Sequence, residues 1–245
     1  MELKSRDPVR TGLKKMDYLL SSLFSATRLI FNLDAAVFTV VWTSIRISLF
    51  AVLIAAAFSI PMALLVALRE FRGKALLLQT LNTLVALPTV VVGLLLYGLL
   101  SRQGPLGDLG LLYTPMAMVI GQCVLIIPVI WNLGISAING ADPRVMTTCR
   151  ALGANSFQQG LLFLNEVRFA VMAAIVMGFG RAIGEVGIAM MLGGNIEGFT
   201  RTMTTAIALE TSKGEFEFAL ALGALLLLVA FLVNGLLQRF QYLNK

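Results

Sequence analysis

The chain contains no histidine and only two cysteines among its 245 residues. The absence of histidine excludes metal sites built on imidazole and catalytic triads that need a histidine base. Cys123 and Cys149 do not form a Cys-x-x-Cys pair, so the usual structural zinc site is excluded as well. The two thiols are expected at different depths, which predicts two small buried apolar residues rather than a disulfide. We expect neither a metal site nor a catalytic residue in this chain.

Motifs for hydrolysis and nucleotide binding are also missing. No Gly-x-Ser-x-Gly sequence marks a nucleophilic serine. The one Gly-Lys pair near a predicted helix start is Gly73-Lys74, but Leu68 occupies the position at which a phosphate-binding loop has its first glycine. The sequence therefore predicts a protein that is not an enzyme, binds no ATP and carries no cofactor of its own.

Charged residues are scarce, at 13% of the chain, whereas 58% of the residues are hydrophobic and the mean hydropathy is +0.87. Such a composition indicates an integral membrane protein. A spanning helix needs roughly 20 mostly apolar residues, and five stretches qualify: about 47–68, 76–100, 115–138, 169–192 and 218–237. Prolines inside three of them are tolerable in a helix bundle. We predict an all-α integral membrane protein with five transmembrane helices.

The chain divides into a short N-terminal segment, 1–43, and a single transmembrane domain, 44–240. Apolar residues recur at helical spacing in the first segment: Leu20, Leu23, Phe24, Thr27, Ile30 and Phe31. Asp17, Arg28 and Asp34 would be costly in hydrocarbon, so we favour an amphipathic surface helix over a sixth span at about 18–41. No cleavable signal peptide is predicted, because an Ala-x-Ala cleavage pattern is missing.

The distribution of basic residues predicts the orientation. The loop after the first span, the segment 142–168 and the C-terminal tail carry most of the lysines and arginines outside the N-terminal segment, so they are expected in the cytoplasm. Five spans then place the N-terminus outside, where the basic cluster Lys4, Arg6, Arg10, Lys14 and Lys15 resists export. Two resolutions stay open at this point: translation starts at Met16, or a sixth span reverses the terminus. We prefer five spans.

The polar segment 142–168 between the third and fourth spans reads as a helix, a sharp turn and a second helix. Its capping and turn residues are Asp142 and Pro143 at the first helix start, Gly153 at the turn, and Asn155 or Ser156 at the second start. The first helix is predicted to end at Leu152 and the second at about Leu164. Such a helix pair could lie on the membrane surface or dock onto another protein.

Ionisable groups occur well inside an apolar run only in the fourth span, at Arg181 and Glu185. Their spacing places them on one face of a continuous helix, where they either neutralise each other or line a polar pathway. Gly180 and Gly184 predict the close approach of another helix, and Gly187 widens the smooth surface. Because five helices are few for an enclosed passage, we expect a dimer.

The sequence Thr147-Thr148-Cys149-Arg150-Ala151-Leu152-Gly153-Ala154-Asn155-Ser156 resembles the coupling loop of ABC importer permeases. In that family the loop inserts into a cleft of a cytoplasmic ATPase dimer, which binds ATP and magnesium. The resemblance assigns ATPase coupling to Arg144, Thr147, Arg150, Ala151, Leu152, Gly153, Ala154 and Ser156.

Four further stretches, 82–93, 101–107, 180–195 and 201–216, resemble the tungstate-type permeases, which are relatives of those for molybdate and sulfate. This resemblance implies the type I ABC importer permease fold in the inner membrane. It also implies three protein partners: a second copy of the chain, an ATPase dimer, and an extracytoplasmic oxyanion-binding protein. No nucleic acid partner is expected.

The resemblance implies that a tetrahedral oxyanion crosses the membrane through this chain, with tungstate as the favoured substrate and molybdate or sulfate as alternatives. Candidate pathway residues are Arg181, Glu185, Asn195, Thr202 and Thr205, although the threonine hydroxyls have capping and loop hydrogen bonds as an equal alternative. A proton-coupled secondary transporter using Glu185 is a rival hypothesis, and the missing inverted repeat counts against it. A scaffold subunit without any solute is a third.

Overall fold

The computed structural model describes residues 35–142, Arg144, Thr148, Ala151 and 153–243. This part of the chain is helical and contains no strand, which confirms the all-α prediction for the described residues. The N-terminal tail and most of the predicted surface helix lie outside the described residues.

The described helices carry the labels α1 to α9 in chain order. They are α1 Ala35–Leu68, α2 Lys74–Val85, α3 Thr89–Leu100, α4 Pro115–Asn139, α5 Ser156–Glu166, α6 Arg168–Ile183, α7 Gly187–Gly193, α8 Met203–Lys213 and α9 Phe216–Leu243. A 3₁₀ turn, Gly107–Leu109, lies between α3 and α4.

Three of the described helices are long and apolar enough to cross a membrane: α1, α4 and the Phe216–Leu236 part of α9. Two helix pairs pass the same test together although they are sharply bent. The pair α2 and α3 bends by 96°, and Gln158–Glu166 with α6 bends by 73°. The described chain therefore has three spans, or up to five if each bent pair is one span.

The observed bounds correct three of the predicted spans. The first described helix, Ala35–Leu68, already includes residues 35–46, which precede the predicted start at residue 47 and lie partly in the segment expected to form a surface helix. The second predicted span, 76–100, is two helices, and the fourth, 169–192, is interrupted between α6 and α7. The third and fifth predicted spans match α4 and α9, with α9 continuing to Leu243.

Helices α1 and α4 form the centre of the fold. The buried face of α1 toward this centre consists of small residues at helical spacing: Ser44, Ser48, Ala51, Ala55, Ser59 and Ala63. Small side chains allow two helix backbones to approach closely. Two polar contacts join the helices, from Ser59 Oγ to the Ile127 carbonyl at 3.1 Å and from Cys123 Sγ to the Ala51 carbonyl at 3.4 Å. Cys123 is a buried free thiol, as predicted.

Two apolar clusters fill the space around this centre. The larger one joins α1, α4, α6, α7 and α9, and includes the fully buried residues Ile47, Met118, Ile126, Ile188, Leu192 and Leu222. The smaller one packs Leu81 of α2 and Phe163 of α5 against α4. Large apolar side chains also cover the exterior of α1, α3 and α9, such as Phe50, Leu95 and Phe231. An apolar exterior of this kind suits contact with lipid.

Candidate translocation and coupling sites

The second predicted span breaks at Pro88. Proline has no N–H to continue the helix and disfavours helical backbone in the residue before it. Helix α2 accordingly ends at Val85, and Pro88 adopts φ −64° and ψ 122° before α3 begins at Thr89. The Pro88 carbonyl accepts from the Val91 and Val92 N–H groups, at 3.0 and 3.2 Å, which starts the new helix.

The fourth predicted span breaks at Gly184–Glu185–Val186, where no proline occurs. Side chains from other helices bond to the backbone around this break. Gln122 Nε2 donates to the Ala182 carbonyl at 3.1 Å, and Thr204 Oγ1 donates to the Glu185 carbonyl at 2.8 Å. Carbonyl groups that lose their helical partner inside a membrane need such donors. The break is therefore held by tertiary hydrogen bonds.

Glu185 is the buried acidic group of this break, with 6% of its surface exposed. Its Oε1 accepts from the Ile188 N–H in the first turn of α7, at 3.2 Å. A carboxylate at a helix N-terminus is favoured by the partial positive charge of the free N–H groups there. The side chain of Glu185 thus provides a hydrogen-bond acceptor for the first turn of α7.

The two breaks lie next to each other. A Cβ atom added to Gly187 would stand 3.3 Å from Glu185 Oε1 and 3.3 Å from Thr89 Oγ1, so both oxygens border the same small space. A Cβ on Gly93 of α3 would likewise meet Met191 and Ile188 of α7. The starts of α3 and α7 therefore meet inside the fold.

Arg181 lies in the last turn of α6 and is exposed. Among the described residues it forms no ion pair with Glu185, so the first of the two alternatives, mutual neutralisation, is not observed there. The reason is the end of α6 at Ile183, which removes the continuous helix that the i,i+4 pairing needs. The structure thus separates the two charged groups that sequence spacing had paired.

The threonines of 200–205 form local structure rather than an open row of hydroxyls. Thr202 is the N-cap of α8 and exchanges hydrogen bonds with Thr205 in a capping box. Thr200 Oγ1 donates to the Gly193 carbonyl and accepts from the Ile196 N–H. All three are buried, so the capping alternative describes them. Asn195 lies in the preceding turn with φ 51°, and its Oδ1 is buried without a partner among the described residues.

The glycines predicted to permit close helix packing have different surroundings. A Cβ on Gly180 would meet nothing within 4 Å, and one on Gly184 would meet only the Gly180 carbonyl. These two glycines therefore contact no other described helix, and their face is open. Close packing occurs instead at Gly178, against Ile130, and at Gly193, against Met118.

The segment predicted to couple to an ATPase is described in part. Asp142 Oδ1 accepts from the Arg144 N–H at 2.8 Å, as expected of a helix start, and Arg144 and Ala151 are helical and exposed. Gly153 has φ 76°, a conformation that favours glycine, and makes the predicted turn. Ala154 follows this turn, and Ser156 is the first residue of α5. Thr147, Arg150 and Leu152 lie outside the described residues.

Asn155 caps the second helix of this segment. Its side chain accepts from the Gln158 N–H at 2.9 Å, and Gln158 Oε1 accepts from the Asn155 N–H at 2.9 Å. This reciprocal pair is a capping box. Of the two N-caps predicted from sequence, Asn155 is the correct one.

A charged cavity of about 560 Å³ lies beside the first turn of α1. Arg201 pairs with Glu197 at 3.3 Å, and Lys213 pairs with Glu210 at 3.0 Å. Glu215 also lines this cavity. The structure brings these charged residues together around one cavity.

Sequence analysis missed several polar residues that contact the broken spans or the start of α8. Ser44 Oγ accepts from the Met203 N–H at 2.7 Å, which ties the start of α8 to α1. Gln122 and Thr89 belong to apolar runs and carry no motif. A polar residue inside an apolar span was the available signal, since buried polar groups need partners.

Comparison with known proteins identifies the chain. Residues 59–242 match the family described as binding-protein-dependent transport system inner membrane component. The chain belongs to this family. It is therefore a multi-pass membrane subunit of a transport system, as the coupling-loop resemblance predicted.

Relatives within this permease family are similar over most of their length. The tungstate uptake system permease protein TupB of Peptoclostridium acidaminophilum is 38% identical over 226 residues, which cover 92% of this chain and 99% of the relative. A probable anion ABC transporter permease protein of Haloferax volcanii is 40% identical over 203 residues, or 81% and 88%. TupB of Campylobacter jejuni is 34% identical over 226 residues, or 92% and 95%. Molybdenum and sulfate permeases are similar at lower identity. The predicted resemblance to tungstate-type permeases is confirmed.

Proposed function

We propose that this chain is the permease subunit of an ATP-driven importer for a tetrahedral oxyanion, with tungstate as the substrate. The observation that carries the proposal is the 38% identity to a tungstate permease over nearly the full length of both chains. The meeting of two broken spans supports it, because discontinuous helices are typical of solute pathways. Molybdate and sulfate are the competing substrates.

The coupling segment docks onto a cytoplasmic ATPase dimer that binds ATP and magnesium. Support comes from the exposed helical residues Arg144 and Ala151, the exposed turn at Gly153, and the capped start of α5. The contact residues we propose are Arg144, Thr147, Arg150, Ala151, Leu152, Gly153, Ala154 and Ser156. We expect the turn at Gly153 and the capped helix α5 to transmit movement from the ATPase into α4 and α6.

The passage lies between two copies of the chain. The open face at Gly180 and Gly184 supports this, because it offers the small residues that let a second copy approach. Arg181 on the same helix faces the passage and attracts the dianion. Glu185 closes the break behind it, and Asn195, Thr202 and Thr205 support the adjoining turn and the start of α8.

The charged cavity around Arg201 faces the extracytoplasmic oxyanion-binding protein. With the coupling segment in the cytoplasm, the basic loops are inside, in agreement with the positive-inside rule, and five spans place the N-terminus outside and the C-terminus in the cytoplasm. Partner selection by exposed charges is expected to depend on salt concentration.

Reconstitution of the chain with its ATPase and binding protein in lipid vesicles tests the proposal. Tungstate uptake should require ATP, and Gly153→Pro should abolish uptake while the complex still folds, because proline cannot adopt φ 76°. Gly98→Ala, at a glycine with open space around it, is the matched control and should transport normally. Uptake driven by a pH gradient without nucleotide, and lost in Glu185→Gln, would instead establish proton-coupled transport.

A further inference from the structure

Helix α2 has two chemically different faces. Leu77, Leu78 and Leu81 pack against the smaller apolar cluster. The exposed surface carries Gln79 and Asn82, one turn apart, and Thr83 next to Asn82, beside the exposed Leu76. We refer to Gln79, Asn82 and Thr83 as the polar face of α2.

The hydrogen bonds of the polar face leave amide N–H groups free. Thr83 Oγ1 donates its proton to the Gln79 carbonyl at 2.9 Å, within the helix. Asn82 Oδ1 accepts from Asn132 Nδ2 of α4 at 2.6 Å, which turns the Asn82 amino group away from α4. Among the described residues, neither the Asn82 amino group nor the Gln79 side chain has a partner. The polar face therefore presents neutral hydrogen-bond donors.

Lipid is an unsuitable neighbour for this face. A free amide in hydrocarbon loses its hydrogen bonds to water without replacement. The transfer of such a group from water to an apolar medium costs roughly 2–7 kcal/mol. The adjoining half of the same bent span shows the contrast, since the exposed side chains of α3 include Val90, Leu94 and Leu95. Exposed apolar side chains also occur on α2, at Leu76, Leu84 and Val85, but the exposed amides of this described span occur only in its α2 half.

We propose that the polar face of α2 lines the anion passage and that the amide N–H groups of Gln79 and Asn82 hydrogen-bond the oxyanion as it passes. The inference rests on the proposed function and adds a substrate-contacting surface to it. Hydrogen bonds from neutral donors are roughly half as strong as those from charged donors. A passing anion would accept hydrogen bonds that are weak enough for it to dissociate again, as a transport pathway requires.

Charge substitutions at Gln79 test the contact. In vesicles containing the whole transporter, Gln79→Glu, which keeps the size and adds a negative charge, should lower ATP-driven tungstate uptake by at least about tenfold through repulsion of the dianion. Asn82→Asp should act in the same direction. Gln79→Lys should lower uptake by less than about threefold, because its charge has the opposite sign. Equal losses for Glu and Lys, with loss of the assembled complex, would show a structural contact and overturn the proposal.

Thiol labelling tests exposure to water independently of transport. In a background without Cys123 and Cys149, Gln79→Cys and Asn82→Cys should react in membranes with a charged, hydrophilic thiol reagent. Leu95→Cys, on the apolar exterior of α3, is the matched control and should not react. Protection of Gln79→Cys to the level of Leu95→Cys would overturn the proposal. If wild-type vesicles take up no oxyanion, the proposed function fails, and labelling still decides whether the polar face lines an aqueous passage.

Discussion

At the scale of single residues, Glu185 shows how a buried carboxylate is accommodated next to apolar side chains. No basic side chain of the described chain is in ion-pair contact with it. Its oxygen bonds to the Ile188 N–H instead, and its carbonyl receives the Thr204 hydroxyl. Both the side-chain oxygen and the backbone carbonyl of Glu185 therefore have hydrogen-bond donors at the break.

Thr204→Val tests the bond that holds this break. Valine has nearly the same shape but no hydroxyl, so the buried Glu185 carbonyl loses its donor, and we expect a loss of about 1–3 kcal/mol in stability. Thermal unfolding of the purified protein in detergent measures the change. Thr80→Val on exposed α2 is the matched control and should leave the melting temperature nearly unchanged. An equal effect of both substitutions would contradict the role assigned to Thr204.

Gly187→Ala tests the meeting point of the two breaks. The added methyl group would lie 3.3 Å from both Glu185 Oε1 and Thr89 Oγ1, which is tighter than ordinary contact. We expect destabilisation by about 1–3 kcal/mol, as for other overpacked sites. Gly98→Ala, with nothing within 4 Å, should be neutral or slightly stabilising in the same melting experiment. A higher melting temperature for Gly187→Ala than for Gly98→Ala would show that the space is open.

Tyr113 provides a test by pH. It lies in the loop before α4 with 41% of its surface exposed, and its hydroxyl is 3.3 Å from that of Tyr97. This hydrogen bond raises the pKa of Tyr113 above 10.0, with smaller contributions from burial and from the charge of Tyr97. Tyr97→Phe should therefore lower the pKa of Tyr113, which is measured by tyrosinate absorbance. The Tyr113→Phe variant lacks this titration and so identifies which absorbance step belongs to Tyr113.

The sign of the stability effect follows from the same shift. The folded protein holds the Tyr113 proton more tightly than the unfolded chain, so this contribution is fully present below about pH 10 and is lost as the pH rises through the folded pKa. Tyr97→Phe should make stability fall less over this alkaline range. An unchanged titration of Tyr113 in that variant would refute the hydroxyl contact.

At the scale of helices, local signals were predictable and long-range contacts were not. Apolar length predicted α4 and α9, and the pattern of Gly153 followed by Asn155 predicted the turn and the cap, because each depends on neighbouring residues alone. Pro88 is evident in the sequence, but the sequence around it does not show whether this proline bends the helix or ends it. The Glu185 break has no local signal, since its donors, Gln122 and Thr204, come from distant parts of the chain.

Asn155→Ala tests the coupling segment as an element. Loss of the capping box should destabilise the start of α5 by about 1 kcal/mol. In reconstituted vesicles we expect less anion transported per ATP hydrolysed, because a frayed helix transmits movement poorly. Asn155→Asp keeps an N-cap oxygen and should retain most of the coupling. Equal coupling in the alanine and aspartate variants would show that this cap is unimportant for transport.

At the scale of the whole molecule, the open face at Gly180 and Gly184 predicts the assembly. Two copies of the chain and two ATPase subunits should appear together in native mass spectrometry of the purified complex. Gly180→Leu adds a bulky side chain where the single chain has open space, so it should weaken pairing of the copies while leaving each copy folded. A complex containing one copy, or normal pairing of Gly180→Leu, would contradict the proposed interface.

The contact of α1 with α4 limits what can move during a transport cycle. A Cβ atom added to Gly134 would stand only 2.9 Å from the Cβ atom of Ala63. Hydrogen bonds from the Ser59 and Cys123 side chains join the same two helices elsewhere. Packed surfaces of this kind do not slide gradually. We therefore expect this helix pair to stay in place during a transport cycle, while the short helices on either side of Pro88 and Glu185 move against it.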